Sequence, residues 1–558
     1  MVRVLFKPHG RSIQVEEGTS VLQAARLAGV VIESPCNGEG TCGKCKVRLD
    51  NRSPMNVAGN GTPHLPKRKE GDLGLVLACR TEIRGNLIVE VPIPPLEESM
   101  RILSFGKGFD VPPDGFIRKI FSDGEDRTRV YAGEEIVAAE EGNTADRNYG
   151  AVVDIGTTTL VASLVDINTG SEIASASSLN PQSRHAQDVL SRIKFASTAD
   201  GRRYLQAELV RAINGLIADA AGRSGVRGEN VYEVVFSGNT CMLHLAVGAD
   251  PAPLGRYPYT PRIRGGGHVK ASDLGLEIAG CGLVYLPPII SAYVGADITS
   301  GILASRLRER KGVTLFVDIG TNGEMVMGCD GKLLATSTAA GPAFEGMNIT
   351  FGMRASTGAI ERFEVDRDGD ISLQTIGGAE AAGICGSGLL DIVGELVAHG
   401  VINRNGTFAG PDAERAPTSL RERIVTREGK RAFRITKKVF LTQKDIRQVQ
   451  LAKGAIRSGI EFLLRHAGVA ASDVDGVLIA GSFGYHLRPK SLLNTGIIPP
   501  EFDGKVDFLG NTSLSGGRAF LINKGLRERM AIEVKGVKVV ELANDEGFEK
   551  TFARALAF

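Results

Sequence analysis

Alternating apolar and polar positions open the chain and predict a hairpin that leads into a helix. The segments "VRVLFKP" and "RSIQVEEG" alternate with the period of a half-buried strand, and His9 and Gly10 separate them. In "TSVLQAARLAGV" the apolar positions Val21, Leu22 and Ala25 recur with helical spacing instead. The segments "KVRLD" and "LIVEVP" then predict two further strands.

The loop after this helix, "SPCNGEGTCGKC", carries cysteines with the spacing of metal ligands. Cys36, Cys42 and Cys45 form a C-x5-C-x2-C pattern, and Cys79 follows in the later segment "LACR". Three thiolates from one turn and a fourth from a distant segment complete the four-coordinate sites of a two-iron cluster. The glycines between them allow backbone N–H groups to approach the sulfurs. Zinc is the alternative, although zinc sites usually combine two close Cys or His pairs.

With Cys79, this loop resembles the 2Fe-2S ferredoxin family, which has a β-grasp fold, over residues 1–95. The resemblance implies a 2Fe-2S cluster with four ligands: Cys36, Cys42, Cys45 and Cys79. The other cysteines stand singly, as is typical of small buried apolar residues: Cys241, Cys281, Cys329 and Cys385.

Residues 96–148 predict a linker or small connector. This part of the chain contains Pro112 and Pro113 and then the charged stretch "FSDGEDRTRVYAGEEIVAAEEGNTADRN". We expect a spacer without chemistry of its own, which keeps the first domain near the rest of the chain and so raises its effective concentration there.

An internal duplication dominates the remainder of the chain. The segments "AVVDIGTTTLVASLVD" and "LFVDIGTNGEMVMGCD" align at a constant offset, so that Asp154 corresponds to Asp318 and Thr157 to Thr321. Each reads as a strand, a D-I-G-T turn and a second strand. Such a turn presents consecutive N–H groups and hydroxyls to phosphate oxygens, and its Asp is suited to a hydrated Mg²⁺. An ordinary strand turn is the alternative.

Glycine clusters after apolar runs support a nucleotide cleft. In "VDGVLIAGSFGYH" a buried strand runs into Gly481 and Ser482, where missing side chains allow a base or ribose to approach. The clusters "AAGPAFEG" and "AAGICGSGLLDIVGEL" also line such a cleft, with Gly386 opening a helix towards phosphate or ribose. Turns that serve core packing are the alternative. Thr442 and Asp445 predict the cap of a long amphipathic helix, in which Lys453 faces either the adenine or solvent.

The two D-I-G-T turns and the Gly481 segment together resemble the superfamily of acetate and sugar kinases, heat-shock chaperone ATPases and actin. The implied fold is multidomain α/β: a β-grasp ferredoxin domain, then a duplicated ribonuclease-H-like ATPase with lobe I at 149–310 and lobe II at 311–558. In the sugar kinases a catalytic base precedes the second phosphate strand. Asp297 in "SAYVGADITSGILAS" occupies a similar place and is the candidate for orienting water. A helix N-terminal role for Asp297 is equally open.

Composition excludes some partners and compartments. With 66 basic and 64 acidic residues, the formal charge of +2 gives no global attraction to nucleic acid or anionic membrane. The start "MVRVLFKPHG" lacks the apolar core of a signal peptide, and the most apolar window is broken by Pro287, Pro288 and Asp297. We therefore expect a cytoplasmic protein without membrane spans, whose cysteines stay reduced.

The whole architecture resembles the reductive activators of corrinoid proteins, through "CNGEGTCGKC", "AVVDIGTTT", "SGNTCMLHLAVG", "VDIGTNGE", "AGPAFEGMNI", "GICGSGLLDIV" and "AGSFG". The family uses ATP to return an inactive Co(II) corrinoid to Co(I) for methyl transfer. The connector leaves no room for an additional full domain, which is a departure from the best-known architecture.

This resemblance implies a corrinoid protein of a methyltransferase system and a low-potential electron donor as partners, and it adds a homodimer as an expectation. It assigns Mg²⁺, held through water, to Asp154 and Asp318. The implied nucleotide contacts are Gly156, Thr157, Thr158, Gly320, Thr321, Asn322, Gly323, Gly386, Gly481 and Ser482. Two other classes stay open: a small-molecule kinase with a redox appendage, and a non-catalytic redox-responsive regulator that binds nucleotide.

Overall fold

The computed structural model divides the chain into two compact units. One contains Met1–Met100 with Gln182–Phe195 and Thr426–Lys430, and the other contains the remaining residues. The structure describes all residues except 31, 33, 35–37, 39, 41–42, 51–55, 59–74, 93–109, 411–412, 428, 482–486 and 543–544. Among the described helices, none combines the length and apolar character needed to cross a membrane.

The first unit is built on a mixed five-stranded sheet. Its elements are β1 (Val2–Lys7), β2 (Arg11–Val15), α1 (Val21–Leu27), β3 (Lys46–Leu49), β4 (Val57–Ala58), β5 (Leu75–Leu77), β6 (Glu82–Ile83), β7 (Leu87–Glu90) and α2 (Val189–Phe195). The sheet order is β2-β1-β7-β3-β5, with β1 antiparallel to β2 and parallel to β7. The Ser20 hydroxyl caps α1 by accepting the Gln23 N–H, and the helix buries Val21 and Leu22 in the core.

The second half of the connector is a folded part of the second unit. Strands β8 (Ile117–Ser122), β9 (Arg127–Ala132) and β10 (Glu135–Glu141) form an antiparallel sheet. Ile117 and Val130 belong to the same buried core as the strand residue Val152. The buried Lys119 Nζ donates to Glu140 at 2.8 Å and to the Tyr232 hydroxyl at 2.9 Å. From Ile117 onward, the stretch expected to be a spacer therefore packs on the first lobe.

Lobe I contains a six-stranded sheet with the order β13-β12-β11-β14-β16-β15. Its strands are β11 (Tyr149–Ile155), β12 (Thr159–Asp166), β13 (Glu172–Leu179), β14 (Val231–Gly238), β15 (Gly267–Lys270) and β16 (Leu283–Leu286). Its helices are α3 (Ala199–Ser224), α4 (Thr240–Ala246), α5 (Ala271–Leu274) and α6 (Ala296–Ala304). The central strands are buried along their length, as is expected for a sheet covered on both faces.

Lobe II contains a second six-stranded sheet, with the order β27-β26-β17-β18-β19-β28. Its strands are β17 (Val313–Ile319), β18 (Gly323–Cys329), β19 (Lys332–Thr338), β26 (Gly476–Ala480), β27 (Val506–Gly510) and β28 (Lys538–Val539). The helices of this part of the chain are α7 (Gly386–Ala398), α8 (Thr418–Arg421), α9 (Gln443–Ala467), α10 (Pro489–Asn494), α11 (Thr512–Ile522), α12 (Lys524–Glu533) and α13 (Phe548–Ala555). The short strands inserted between β19 and β26 are β20 (Ala359–Val365), β21 (Ile371–Thr375), β22 (Gly383–Ile384), β23 (Ile424–Arg427), β24 (Lys430–Arg434) and β25 (Phe440–Thr442).

The two large sheets repeat one topology. In each, an antiparallel three-strand meander, β11 to β13 or β17 to β19, is extended by two parallel strands, β14 and β16 or β26 and β27. The helix that follows the last of these strands is α6 in lobe I and α11 in lobe II, and the two helices pack directly against each other. The predicted duplication is therefore a duplication of fold.

Local chemistry explains the start of the longest helix of lobe II. The Thr442 hydroxyl accepts the Asp445 N–H, while the Asp445 carboxylate accepts the Thr442 N–H, which is the reciprocal capping box that the sequence predicts. The helix ends at Gly468 in the left-handed conformation with a φ of 70°.

Candidate functional site

Two of the four predicted cluster ligands meet in the first unit. Cys45 directly precedes β3, and Cys79 lies in a short 3-10 turn that follows β5. Their Sγ atoms are 3.3 Å apart, and neither cysteine forms a disulfide. Thiolates this close are suited to one shared metal centre.

The glycine-rich loop passes beside this cysteine pair. Gly38, Gly40 and Gly43 have φ values of 95°, 76° and 71°, a region that residues with a side chain rarely adopt. A Cβ built on Gly38 would lie 3.7 Å from the Cβ of Cys79. The donor set and the loop fit an iron–sulfur group. Cys36 and Cys42 lie outside the described residues, so their positions stay a prediction.

The four other cysteines lie in the second unit. Cys241 and Cys385 are buried, whereas Cys281 and Cys329 are partly exposed. Burial raises the pKa of Cys281 and Cys385 above that of a free thiol. A raised pKa disfavours the thiolate that metals bind, in keeping with a packing role.

The first D-I-G-T turn lies where β11 ends. Asp154 is the second-last residue of β11 and is partly exposed. The residues Gly156 to Thr158 then connect β11 to β12. Asn180 closes this turn, because its side-chain N–H donates to the Gly156 carbonyl at 2.8 Å and its backbone N–H donates to the Thr158 carbonyl at 2.9 Å. The Thr157 and Thr158 hydroxyls are thereby held at the carboxyl end of the parallel strands, where ligands of such sheets bind.

The second turn lies at the equivalent place, the end of β17. Asp318 is partly exposed, and the Gly320 N–H donates to the Asn322 carbonyl at 3.0 Å across the tight turn. Thr321 lies at the tip, and Gly323 begins the return strand opposite Ile319. The first turn pairs Ile155 with Leu160 instead, so the two predicted phosphate turns share sequence and position in the sheet but differ by one residue in register.

Helix α11 of lobe II reaches the Asp154 carboxylate of lobe I. Asn511, the N-cap of α11, donates from Nδ2 to Asp154 Oδ2 at 2.8 Å. The Ser513 hydroxyl donates to Asp154 Oδ1 at 3.0 Å, and Ser513 Oγ lies 2.8 Å from Ser237 Oγ. Ser237 Oγ lies 2.9 Å from Ser300 Oγ on α6, which extends this polar chain to the other helix.

Helix α6 of lobe I places Asp297 beside the acidic residues of both turns. The charges of Asp318 and of Asp154 both act on the Asp297 carboxylate. Asp297 Oδ1 also accepts the Ile298 N–H at 2.9 Å, so the helix N-terminal role is present as well. These charge interactions place Asp297 near both turns, and its water-orienting role stays a prediction beside its role at the helix N-terminus.

Burial and mutual repulsion raise the pKa values of the carboxylates in this cleft. Burial and then the charge of Asp318 raise the pKa of Asp297 to about 8. Burial and then the charge of Asp154 raise the pKa of Asp318 to about 7. Burial also raises the pKa of Asp154, and burial with the charges of Asp297 and Asp318 raises that of Glu324 well above its ordinary value. A divalent cation would relieve this repulsion.

Within the described residues, no three His, Cys, Asp or Glu side chains are grouped closely enough to hold a metal ion. The assignment of a hydrated Mg²⁺ to Asp154 and Asp318 stays a prediction. Mg²⁺ usually keeps several waters and takes few protein ligands.

One carboxylate joins the two turns. Thr158 Oγ1 donates to Glu345 Oε2 at 2.5 Å, and Thr321 Oγ1 donates to Glu345 Oε1. Glu345 ends a short 3-10 helix, Pro342–Glu345, in the predicted "AAGPAFEG" cluster. The hydroxyls predicted to contact phosphates from both lobes therefore converge on one point.

The remaining nucleotide residues are placed as follows. Gly481 directly follows β26 and has a φ of 105°, and a Cβ there would lie 2.8 Å from Asp318 Oδ1, so close backbone approach explains this glycine. Ser482 lies outside the described residues. Gly386 is buried at the start of α7, whose helix contacts Pro342–Glu345.

Lys453 does not lie on a solvated face. Its side chain is buried in lobe II, and Nζ donates to the Ala557 carbonyl at 2.5 Å. Burial lowers the pKa of Lys453 to about 8.

The similarity to known proteins covers the whole chain. Residues 312–558 match a family model described as "C-terminal domain of RACo the ASKHA domain", residues 149–310 match "RACo middle region", and residues 5–84 match "2Fe-2S iron-sulfur cluster binding domain". The chain is 28% identical over 604 residues to "Corrinoid activation enzyme RamQ" of Eubacterium limosum, covering 99% of this chain and 98% of that protein. A solved structure named "Reductive activator for corrinoid,iron-sulfur protein" is 30% identical, covers 100% of this chain and 98% of its own, and has a TM-score of 0.72. The chain belongs to the reductive activators of corrinoid proteins.

Membership in the reductive activators agrees with the domain pattern. The ferredoxin match falls in the first unit, and the middle-region match coincides with lobe I, so the fold class predicted from the sequence is confirmed. The matches support an iron–sulfur cluster and nucleotide binding. A Methanosarcina barkeri relative, "[Co(II) methylated amine-specific corrinoid protein] reductase", is 26% identical over 262 residues, covering 43% of this chain and 45% of its own length.

Several polar residues at the cleft of this reductive activator escape motif reasoning. They are Ser237, Asn239, Glu345, Asn511 and Ser513. One sequence signal exists for two of them, because Gly-Asn-Thr stands at the end of a parallel strand twice, at 238–240 and at 510–512. In both cases the Asn caps the next helix and donates from Nδ2 to a phosphate-turn residue, Thr157 or Asp154.

Proposed function

We propose that the chain is an ATP-dependent reductive activator, which passes one electron to an inactive Co(II) corrinoid protein and restores Co(I) for methyl transfer. The observation that carries the proposal is the pairing of two phosphate turns in one cleft with a cysteine pair in a ferredoxin domain. Family membership and the names of the relatives support the partner.

In this proposal the first unit holds a 2Fe-2S cluster through Cys36, Cys42, Cys45 and Cys79. The cluster, when bound, supplies a carrier that takes up and releases one electron at a time. The buried position of Cys45 and the adjacent left-handed glycines restrict water around the thiolates and give backbone N–H groups access to the sulfurs.

The second unit binds MgATP between its lobes. Asp154 and Asp318 hold Mg²⁺ through water, while the turns at Gly156–Thr158 and Gly320–Gly323 contact the phosphates. Gly481 and Ser482 are assigned to adenosine, and Gly386 to phosphate or ribose. Asp297 orients the water that attacks the γ-phosphate, and in this role its ionised carboxylate accepts a hydrogen bond from that water.

ATP is needed when the acceptor is harder to reduce than the donor. Each 59 mV uphill for one electron costs ~1.4 kcal/mol. Closure of the lobes around nucleotide shifts the population towards a state that binds the corrinoid protein differently, provided that the two states differ in affinity for it. An upstream low-potential electron donor and a homodimer remain parts of the proposal.

The test mixes the reduced protein with a Co(II) corrinoid protein and follows Co(I) absorbance with and without MgATP. Wild type and the surface control Asp219→Asn should form Co(I) faster with MgATP, whereas Asp154→Asn should lose this stimulation. ATP turnover that depends on a small hydroxyl substrate, without corrinoid, would instead identify a kinase. Nucleotide binding with neither turnover nor electron transfer would identify a regulator.

Asp297→Asn tests the water-orienting role separately. We expect loss of ATP turnover with nucleotide affinity kept. Unchanged turnover with intact binding would remove Asp297 from the reaction.

A further inference from the structure

The Glu345 carboxylate occupies the point where two phosphate-turn hydroxyls meet. One oxygen accepts from Thr158 of lobe I at 2.5 Å, and the other accepts from Thr321 of lobe II. These contacts span 187 and 24 positions of the chain, so they join segments that the fold alone brings together.

A threonine hydroxyl has a single proton to donate. While Thr158 and Thr321 donate to Glu345, neither can donate to a phosphoryl oxygen. Carboxylate and phosphoryl oxygens are both anionic acceptors, and they compete for the same donors. Glu345 also adds negative charge to a cleft that already contains Asp154 and Asp318, and this charge repels a polyphosphate.

The backbone around Glu345 holds its side chain at this place. The Gly341 N–H donates to the Thr321 carbonyl at 2.8 Å, and Phe344 is buried in the core of lobe II. Gly346 has a φ of 78°, and a Cβ there would lie 2.4 Å from a backbone carbonyl oxygen. Because the backbone is confined on both sides, the carboxylate leaves the hydroxyls by rotation of its side chain.

We propose that Glu345 is an internal competitor of the nucleotide's phosphates, which binds the Thr158 and Thr321 hydroxyls in the empty cleft and is displaced by a magnesium polyphosphate. The inference rests on the nucleotide site of the proposed function. Glu345 then sets the affinity for nucleotide, because part of the binding energy is spent on breaking its two hydrogen bonds. The ligand feature it senses is the phosphate chain, whatever the base.

Isothermal titration calorimetry with MgATP, magnesium tripolyphosphate and adenosine tests this inference. Glu345→Ala should bind MgATP and tripolyphosphate about tenfold more tightly than wild type, a change of ~1.4 kcal/mol. Glu345→Gln, which keeps the shape without the charge, should gain about threefold. Adenosine carries no phosphate, and its affinity should be the same for all variants. The control Glu380→Ala removes an exposed carboxylate that pairs with Lys438 and should behave as wild type.

Other results would overturn the inference. MgATP affinity that is unchanged or weaker in both Glu345 variants would show that the carboxylate does not compete and instead is neutral or helps to hold the ligand. An equal gain for adenosine would show a general loosening of the cleft. Wild-type affinity with ATP turnover lost in Glu345→Gln would make Glu345 a catalytic residue. If wild type and Glu380→Ala bind neither MgATP nor tripolyphosphate, the nucleotide site of the proposed function itself fails.

Discussion

Helices α6 and α11 cross at Gly516, and this crossing has no space for a side chain. A Cβ built on Gly516 lies 2.0 Å from the Ser300 carbonyl oxygen and 2.5 Å from its carbonyl carbon. Ordinary van der Waals contact for a Cβ begins near 3.4 Å, so the Cβ of Gly516→Ala would be about 1.4 Å too close and would force the helices apart. The displaced helix carries Ser300, whose hydroxyl lies 2.9 Å from that of Ser237 in the chain leading to Asp154.

The expected change in the free energy of unfolding combines two destabilising contributions and one stabilising contribution. Overpacking a tight contact costs ~1–3 kcal/mol. The broken hydrogen bond between buried serines costs ~1 kcal/mol more, while alanine in a helix gains back ~1 kcal/mol relative to glycine. We therefore expect Gly516→Ala to lower the free energy of unfolding by about 2 kcal/mol.

Urea unfolding followed by far-ultraviolet circular dichroism measures this change, since the chain has no tryptophan for fluorescence. The matched control is Gly215→Ala on α3, where a Cβ meets nothing within 4 Å. The control should stabilise the protein by ~0.5–1 kcal/mol through helix propensity alone. Equal or greater stability of Gly516→Ala compared with Gly215→Ala would refute the steric argument.

Three further predictions concern separate sites. His244 Nε2 accepts the Arg262 N–H at 2.9 Å and Nδ1 lies 2.7 Å from the Thr240 carbonyl, and burial lowers the pKa of this imidazole. The unfolded chain therefore takes up the proton first, near its ordinary pKa of about 6.5, and stability should fall as pH drops below that value. Urea titrations from pH 5 to 8 should show a flatter dependence for His244→Gln, and an identical slope would contradict the assignment. Cys79→Ser should abolish the visible and EPR spectra of a 2Fe-2S cluster, whereas Cys385→Ser should preserve them; a spectrum that survives in Cys79→Ser would exclude this ligand. Asn511→Ala should weaken MgATP binding about tenfold in calorimetry by freeing the Asp154 carboxylate, and unaltered affinity would show that this amide does not orient it.

Local patterns predicted much of the fold. The repeated D-I-G-T turn identified both meanders because each carries its own strand periodicity, and Thr442 with Asp445 marked the start of α9 through a short-range cap. The connector was harder to interpret. Apart from the buried Lys119, the charged residues of these strands are exposed or partly exposed, while Ile117 and Val130 are buried, and charge outweighed alternation in the sequence interpretation.

Long-range contacts explain what the motifs missed. Asn511 and Asp154 lie 357 positions apart, and no periodicity of either segment relates them. Glu345 stands in a glycine cluster that was recognised, but its partners Thr158 and Thr321 follow only from the packing of two lobes. The sequence explains Gly481 by the approach of a base or ribose. The structure adds a second reason, because Asp318 Oδ1 lies 2.8 Å from where a Cβ would stand.

Each repeat contributes residues that lie beside the phosphate turn of the other repeat, and this limits how the cleft can be divided. Asn511 and Ser513 come from lobe II and complete the turn of lobe I, whereas Asp297 comes from lobe I and stands beside Asp318 of lobe II. Two identical subunits related by a two-fold axis exchange contacts in this reciprocal way. Neither half of the chain, expressed alone, would contain a complete phosphate turn. Co-expression of the two halves should therefore restore the nucleotide binding that each half lacks. Binding of a ligand that contacts both turns therefore requires both repeats to be present and assembled.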